Sequence, residues 1–152
     1  KIATLSTNSA SGYIYPVAEM KDAGINPTTD CTIVTVNDIP SEITAVLNGQ
    51  VDAAFVFEGA RYVFQKKFEG TNDLFKELKV LYLTKGDIPN DAIAVLPTMD
   101  EELQKKIKEV FLNMNQDEAA KDAMSLCNHT GYVEADEKAY DTMSNYIEKA
   151  AQ

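Results

Sequence analysis

KIATLSTNSASGYIYP, residues 1–16, hands a strand over to a helix through a turn of small polar residues. KIATL (1–5) is strand-like, and Pro16 sits near a helix start, where a missing N–H costs least. Between them lie four small hydroxyl residues, Ser6, Thr7, Ser9 and Ser11, with Asn8 and Gly12. Two readings of this turn are open. Serine hydroxyls cap a helix by accepting from its first free amides. The same amides, at the positive end of the helix dipole, also hold phosphate-like groups.

Outward from this turn, strand and helix signals alternate. A helix over 13–23 stops at Gly24, and TIVTV (32–36) is β-branched and alternating, a strand. A helix over 41–47 follows Pro40 and stops at Asn48-Gly49. VDAAFVF (51–57) is a third strand, 60–68 a third helix closed by Gly70, and LKVLYLT (78–84) a fourth strand. This order predicts an α/β fold, a mainly parallel sheet with helices on both faces. Ligands of such sheets sit at the carboxyl ends of strands, which is where residues 6–12 fall. After KGDIPND (85–91) comes a short apolar strand, AIAVL (92–96). Helices are then expected over 99–115, 118–126 and 137–150, the first with Leu103, Ile107, Val110, Phe111 and Met114 on one face.

The chain has 152 residues, 45% hydrophobic, enough for one domain with a real core or for a lobe of something larger. Its net charge of −10 argues against nucleic acid or an anionic membrane surface as partner. No apolar run approaches the roughly 18 residues of a membrane span. Lys1 reads as the start of a mature, processed or excised product. Cys31 and Cys127 lack metal-site spacing and fit either two buried thiols or one long-range disulfide. His129 is the only histidine and no Gly-x-Ser-x-Gly elbow occurs, so nucleophilic hydrolysis has little to build on. No metal or other cofactor is expected, nor an enzyme.

Four ordered segments carry a family resemblance: KIATLSTNSASGYIYP (1–16), AVLNGQVDAAFV (45–56), GDIPNDAIAVLP (86–97) and GYVEADEKAYD (131–141). Together they resemble the substrate-binding proteins of phosphonate, phosphite and phosphate ABC transporters, a branch of the type 2 periplasmic-binding-protein fold. That resemblance implies two lobes around a ligand cleft. Residues 1–84 would form the second lobe, 85–97 the return strand through the hinge, and 98–152 helices associated with the lobes. The N-terminal part of the first lobe would lie outside this chain. The implied partners are a small anionic or zwitterionic ligand and a membrane permease. The implied location is extracytoplasmic, in the periplasm or as a cell-surface lipoprotein.

The resemblance also implies site residues. Ser9, Ala10 and Ser11 would hold phosphorus-bound oxygens through hydroxyls and amides, with Gly12 allowing close backbone approach. Ala10 stands where relatives often carry Thr, so a hydroxyl is lost and its amide remains. Relatives usually place a His just before the next helix. Here Asp38 or Ile39 occupies that position, and neither offers a His-like donor. Asp38 reads equally as turn chemistry before Pro40. Glu58 would meet the organic part of a ligand, or serve as a first-turn acid on the next helix. Asp91 would face a ligand amine, or be a solvated turn residue. Tyr13 and Tyr15 are expected to pack, and His129 to lie in a loop. Arg61 is the only arginine, so no guanidinium clamp is expected at the anion. A phosphorus-free organic nutrient and a ligand-sensing regulatory domain are the alternative functions of the same fold.

Overall fold

Strand β1 (Ile2–Thr4) runs between β2 (Ile33–Thr35) and β3 (Ala53–Ala54) in a parallel sheet of order β2-β1-β3. Ile2, Ala3 and Thr4 stand opposite Ile33, Val34 and Thr35, and Ile2 and Ala3 also oppose Ala53 and Ala54. The computed structural model describes residues 1–152 and divides into two compact units. The first comprises Lys1–Pro89 with Tyr140–Gln152, and the second Asn90–Ala139.

Small side chains build the core of the first unit. Helix α3 (Ile39–Leu47) lays Ala45 against Ala3 and Val51, with Val34, Val46 and Ala54 packed around them. Alanine on strand and helix alike brings the two backbones close. Strand alternation turns Thr4 to the other face of the sheet. Right-handed crossovers put α3 and α1 (Tyr15–Asp22) on opposite faces. Helix α3 is capped by Asp38 and stops at Asn48 and Gly49, whose φ of +66° suits glycine.

One turn of π-helix, Ala10–Ile14, precedes α1, so the helix predicted from residue 13 begins three residues earlier. Two one-turn helices, α2 (Pro27–Asp30) and α5 (Leu74–Glu77), start behind Asn26 and Asp73 caps. Helix α4 (Ala60–Phe64) continues as a 3-10 turn, Gln65–Phe68. The last helix, α8 (Asp141–Ala151), packs on α1. Tyr15 and Tyr146 stack at 4.0 Å, and Lys149 pairs with Asp22 at 2.6 Å. Glu19 draws the chain between them into the same joint. It accepts from the Tyr82 hydroxyl at 2.8 Å, the Lys85 amide at 2.7 Å, the Gly86 amide at 3.3 Å and the Tyr146 hydroxyl at 3.0 Å.

The second unit holds α6 (Glu101–Asn113) and α7 (Glu118–Ser125), capped by Asp100 and Asp117. Met124 is its buried residue, and Phe111 meets the Tyr132 ring edge-on at 5.0 Å. The apolar face of α6 is only half covered: Ile107 and Phe111 are partly buried, while Leu103 and Val110 are exposed.

Two strand expectations fail. Neither 78–84 nor 92–96 forms a strand. A strand needs a neighbour for its N–H and C=O groups, and neither segment pairs with the sheet. Their apolar residues lie open instead, including Val80, Leu81, Tyr82, Leu83, Ile93 and Leu96. Cys31 and Cys127 are free thiols, half-buried and exposed respectively, so neither is the buried thiol expected.

Candidate functional site

All three strands run in one direction, so their carboxyl ends line one edge of the sheet. Because β1 is central, its loop lies between those that follow β2 and β3. The first of these loops carries Ser9, Ala10, Ser11 and Gly12, the second Asp38 and Ile39, and the third Glu58.

Ser9 caps the first turn: its Oγ accepts from the Gly12 amide at 3.1 Å, and its carbonyl accepts from Ile14 at 2.9 Å. The capping reading therefore holds, and it leaves the anion reading open. A hydroxyl that accepts keeps its own O–H to donate. The amides of Ala10 and Ser11 precede the first rung of the helical ladder. Gly12 is buried, and a Cβ there would stand 2.9 Å from Leu5 Cβ, Leu5 Cγ and Ser9 Oγ. Close approach, rather than a positive φ, is what this glycine supplies.

Asp38 is the N-cap of α3, its Oδ1 accepting from the Ser41 amide at 2.7 Å. The Ser41 hydroxyl and amide hold the Asp38 carboxyl below the usual carboxylate range, so it is charged at neutral pH. Ile39 is the first residue of α3 and half-buried. Glu58 is exposed in the turn before Gly59, the N-cap of α4, so the first-turn role does not apply. Asp91 is exposed in the second unit.

Arg61 is spent on structure: Nη1 donates to the Leu78 carbonyl at 3.1 Å, and the guanidinium lies 5.1 Å from the Phe75 ring centre. Tyr15 is fully buried, as packing requires, and Tyr13 half-buried. His129 lies in a loop of the second unit, its Nδ1 3.2 Å from the Tyr132 hydroxyl.

One residue at this edge escapes sequence reasoning. Glu42, in the first turn of α3, is fully buried, and neither carboxylate oxygen has a hydrogen-bond partner. Burial pushes its carboxyl up to about 8, and the negative Asp38 adds to the rise. A glutamate one turn into a helix ordinarily reads as solvated and dipole-favoured. The available signal is its spacing: Glu42 falls three residues before Ala45, on the face turned to the sheet.

An open groove of about 690 Å³ lies beside β2, lined by Thr32, Val34, Val36, Ser41, Thr44 and Ala45 among others. No three His, Cys, Asp or Glu side chains gather as a metal cluster. No helix is long and apolar enough to cross a membrane.

No individual curated protein matches the chain. The family model for ABC transporter, phosphonate, periplasmic substrate-binding proteins matches residues 1–140. The matched span takes in all three strands, the three strand-end loops and the segment of Asp91. The chain belongs to this family of ABC-transporter phosphonate-binding periplasmic proteins.

Proposed function

We propose that this chain is the solute-binding component of an ABC importer and captures a small phosphorus oxyanion, a phosphonate, phosphite or phosphate, at the strand-end edge of its sheet. The observation that carries the proposal is the Ser9 turn, central among three parallel strand ends. The Ser9 and Ser11 hydroxyls and the Ala10 and Ser11 amides are its donors, and Gly12 lets the turn close against Leu5. Glu58 would meet the ligand's organic part, and Asp91 a ligand amine. Residues 1–84 act as the second lobe, 85–97 as the hinge return and 98–152 as helices associated with the lobes. Closure of a cleft on the ligand is a population shift driven by contacts from both lobes. No bond is made or broken, and the protein works outside the cytoplasm beside a membrane permease, anchored there as a lipoprotein where no periplasm exists.

A second reading keeps the fold and replaces the cargo with a phosphorus-free organic nutrient. It rests on Asp38, whose charged carboxylate stands where a donor would help a dianion and would repel one instead. Calorimetric titration with phosphate, phosphite, methylphosphonate and 2-aminoethylphosphonate separates the two. Saturable binding of at least one is expected. Silence toward all four, with binding of an organic nutrient, would hand the site to the second reading.

A further inference from the structure

We propose that Glu42 sets the charge of the strand-end site: neutral, it lets an anion settle at the Ser9 turn, and ionised, it opposes that anion. The inference rests on the anion-binding function proposed above and adds a specificity-determining residue to it.

Glu42 stands one helical turn closer to the strand ends than Ala45, which packs on Ala3 of the central strand. It is completely enclosed, and both carboxylate oxygens lack partners. An ionised carboxylate cannot rest in such surroundings without donors, whereas a protonated one can. The elements packed on α3 offer it no relief. The strands β1, β2 and β3 pack there, and their residues 2–4, 33–35 and 53–54 carry no charge. Asp38, the cap of the same helix, adds negative charge. Lys67 is the cation whose field reaches Asp38, and it is not among the charges acting on Glu42. Burial therefore keeps Glu42 uncharged up to about pH 8. Above that pH a second negative charge appears at the start of α3, beside a turn built to receive an anion. Glu42 touches no ligand in this account. It acts through the field it adds.

The test uses the full chain and methylphosphonate, with affinity measured at about pH 6.5 and about pH 9 for the natural sequence and for Glu42→Gln. The ligand's own protonation is common to both proteins, so their ratio isolates Glu42. The expected result is a ratio near one at the lower pH and a loss of about three- to tenfold in the natural protein alone at the higher. A ratio that does not change with pH overturns the role of Glu42 and leaves the binding function standing. Absence of binding in both proteins at both pH values removes the binding function, and the role of Glu42 falls with it. Should Glu42→Gln not fold, carbon NMR of the Glu42 carboxyl decides. Titration near the loss of affinity upholds the inference, and a carboxyl already ionised at the lower pH refutes it.

Discussion

Replacing Gly12 by alanine sets two physical effects of opposite sign against each other. Gly12 lies within a helical turn at a φ that is not positive, so propensity alone favours alanine by about 1 kcal/mol. The added Cβ would meet Leu5 Cβ, Leu5 Cγ and Ser9 Oγ, each at 2.9 Å. Leu5 Cβ is fixed to the main chain and cannot swing aside as a side-chain tip would. Relief therefore needs a backbone shift, at a cost of about 1–3 kcal/mol. The shift also disturbs the Ser9 cap, worth about 1 kcal/mol. Overlap and cap together outweigh propensity, and Gly12→Ala should lose about 1–3 kcal/mol. Urea unfolding followed by far-ultraviolet circular dichroism measures it, with tyrosine fluorescence as the second probe because the chain has no tryptophan. A variant as stable as the natural protein, or more stable, would refute the close approach of Leu5 and Gly12.

Removal of the Glu19 side chain by Glu19→Ala takes the acceptor from four donors, two of them part-buried, and should cost about 2–3 kcal/mol, with faster amide exchange in α8 as the local readout. Burial pushes the Glu19 carboxyl up, but donors from Tyr82, Lys85, Gly86 and Tyr146 bring it below its ordinary 4.5. Its contribution is accordingly present above pH 4.5 and lost as pH falls through the lowered folded value, which an acid unfolding series would show and Glu19→Ala would lack. Glu42 has the opposite sign. Its carboxyl rises from 4.5 to about 8 on folding, so stability falls as pH climbs through that window and levels off above it. The upper bound is about 5 kcal/mol, and Glu42→Gln should flatten the fall in a pH series of unfolding curves. Asp38→Ala removes the α3 cap and should lower stability by about 1 kcal/mol, while strengthening methylphosphonate binding by removing a negative charge from the site edge. An affinity that drops instead would make Asp38 a ligand contact.

The parallel sheet was legible because its signals are local: KIATL, TIVTV and VDAAFVF each carry strand character, and the helices between them have caps and glycine stops. Their order alone places the Ser9 turn at a strand end. The fourth and fifth expected strands fail for the same reason, since LKVLYLT and AIAVL have strand composition and no edge to pair with. Pairing is a property of the neighbour, which composition does not carry. Asp38 illustrates a site residue whose turn chemistry was readable, as an acid two residues before proline. Glu42 illustrates one that was not. Its burial depends on how closely α3 approaches the sheet, and that is set by alanines at positions 3 and 45 rather than by the glutamate itself. The Glu19 joint was hidden too, because its partners lie 63 to 127 residues away.

The most direct test of the account is an amide NMR titration of the chain with methylphosphonate, following residues 9–12. Selective, saturable shifts of the Ser9, Ala10, Ser11 and Gly12 amides are the predicted result. Shifts confined to the groove beside β2, or none while the fold is intact, would contradict it.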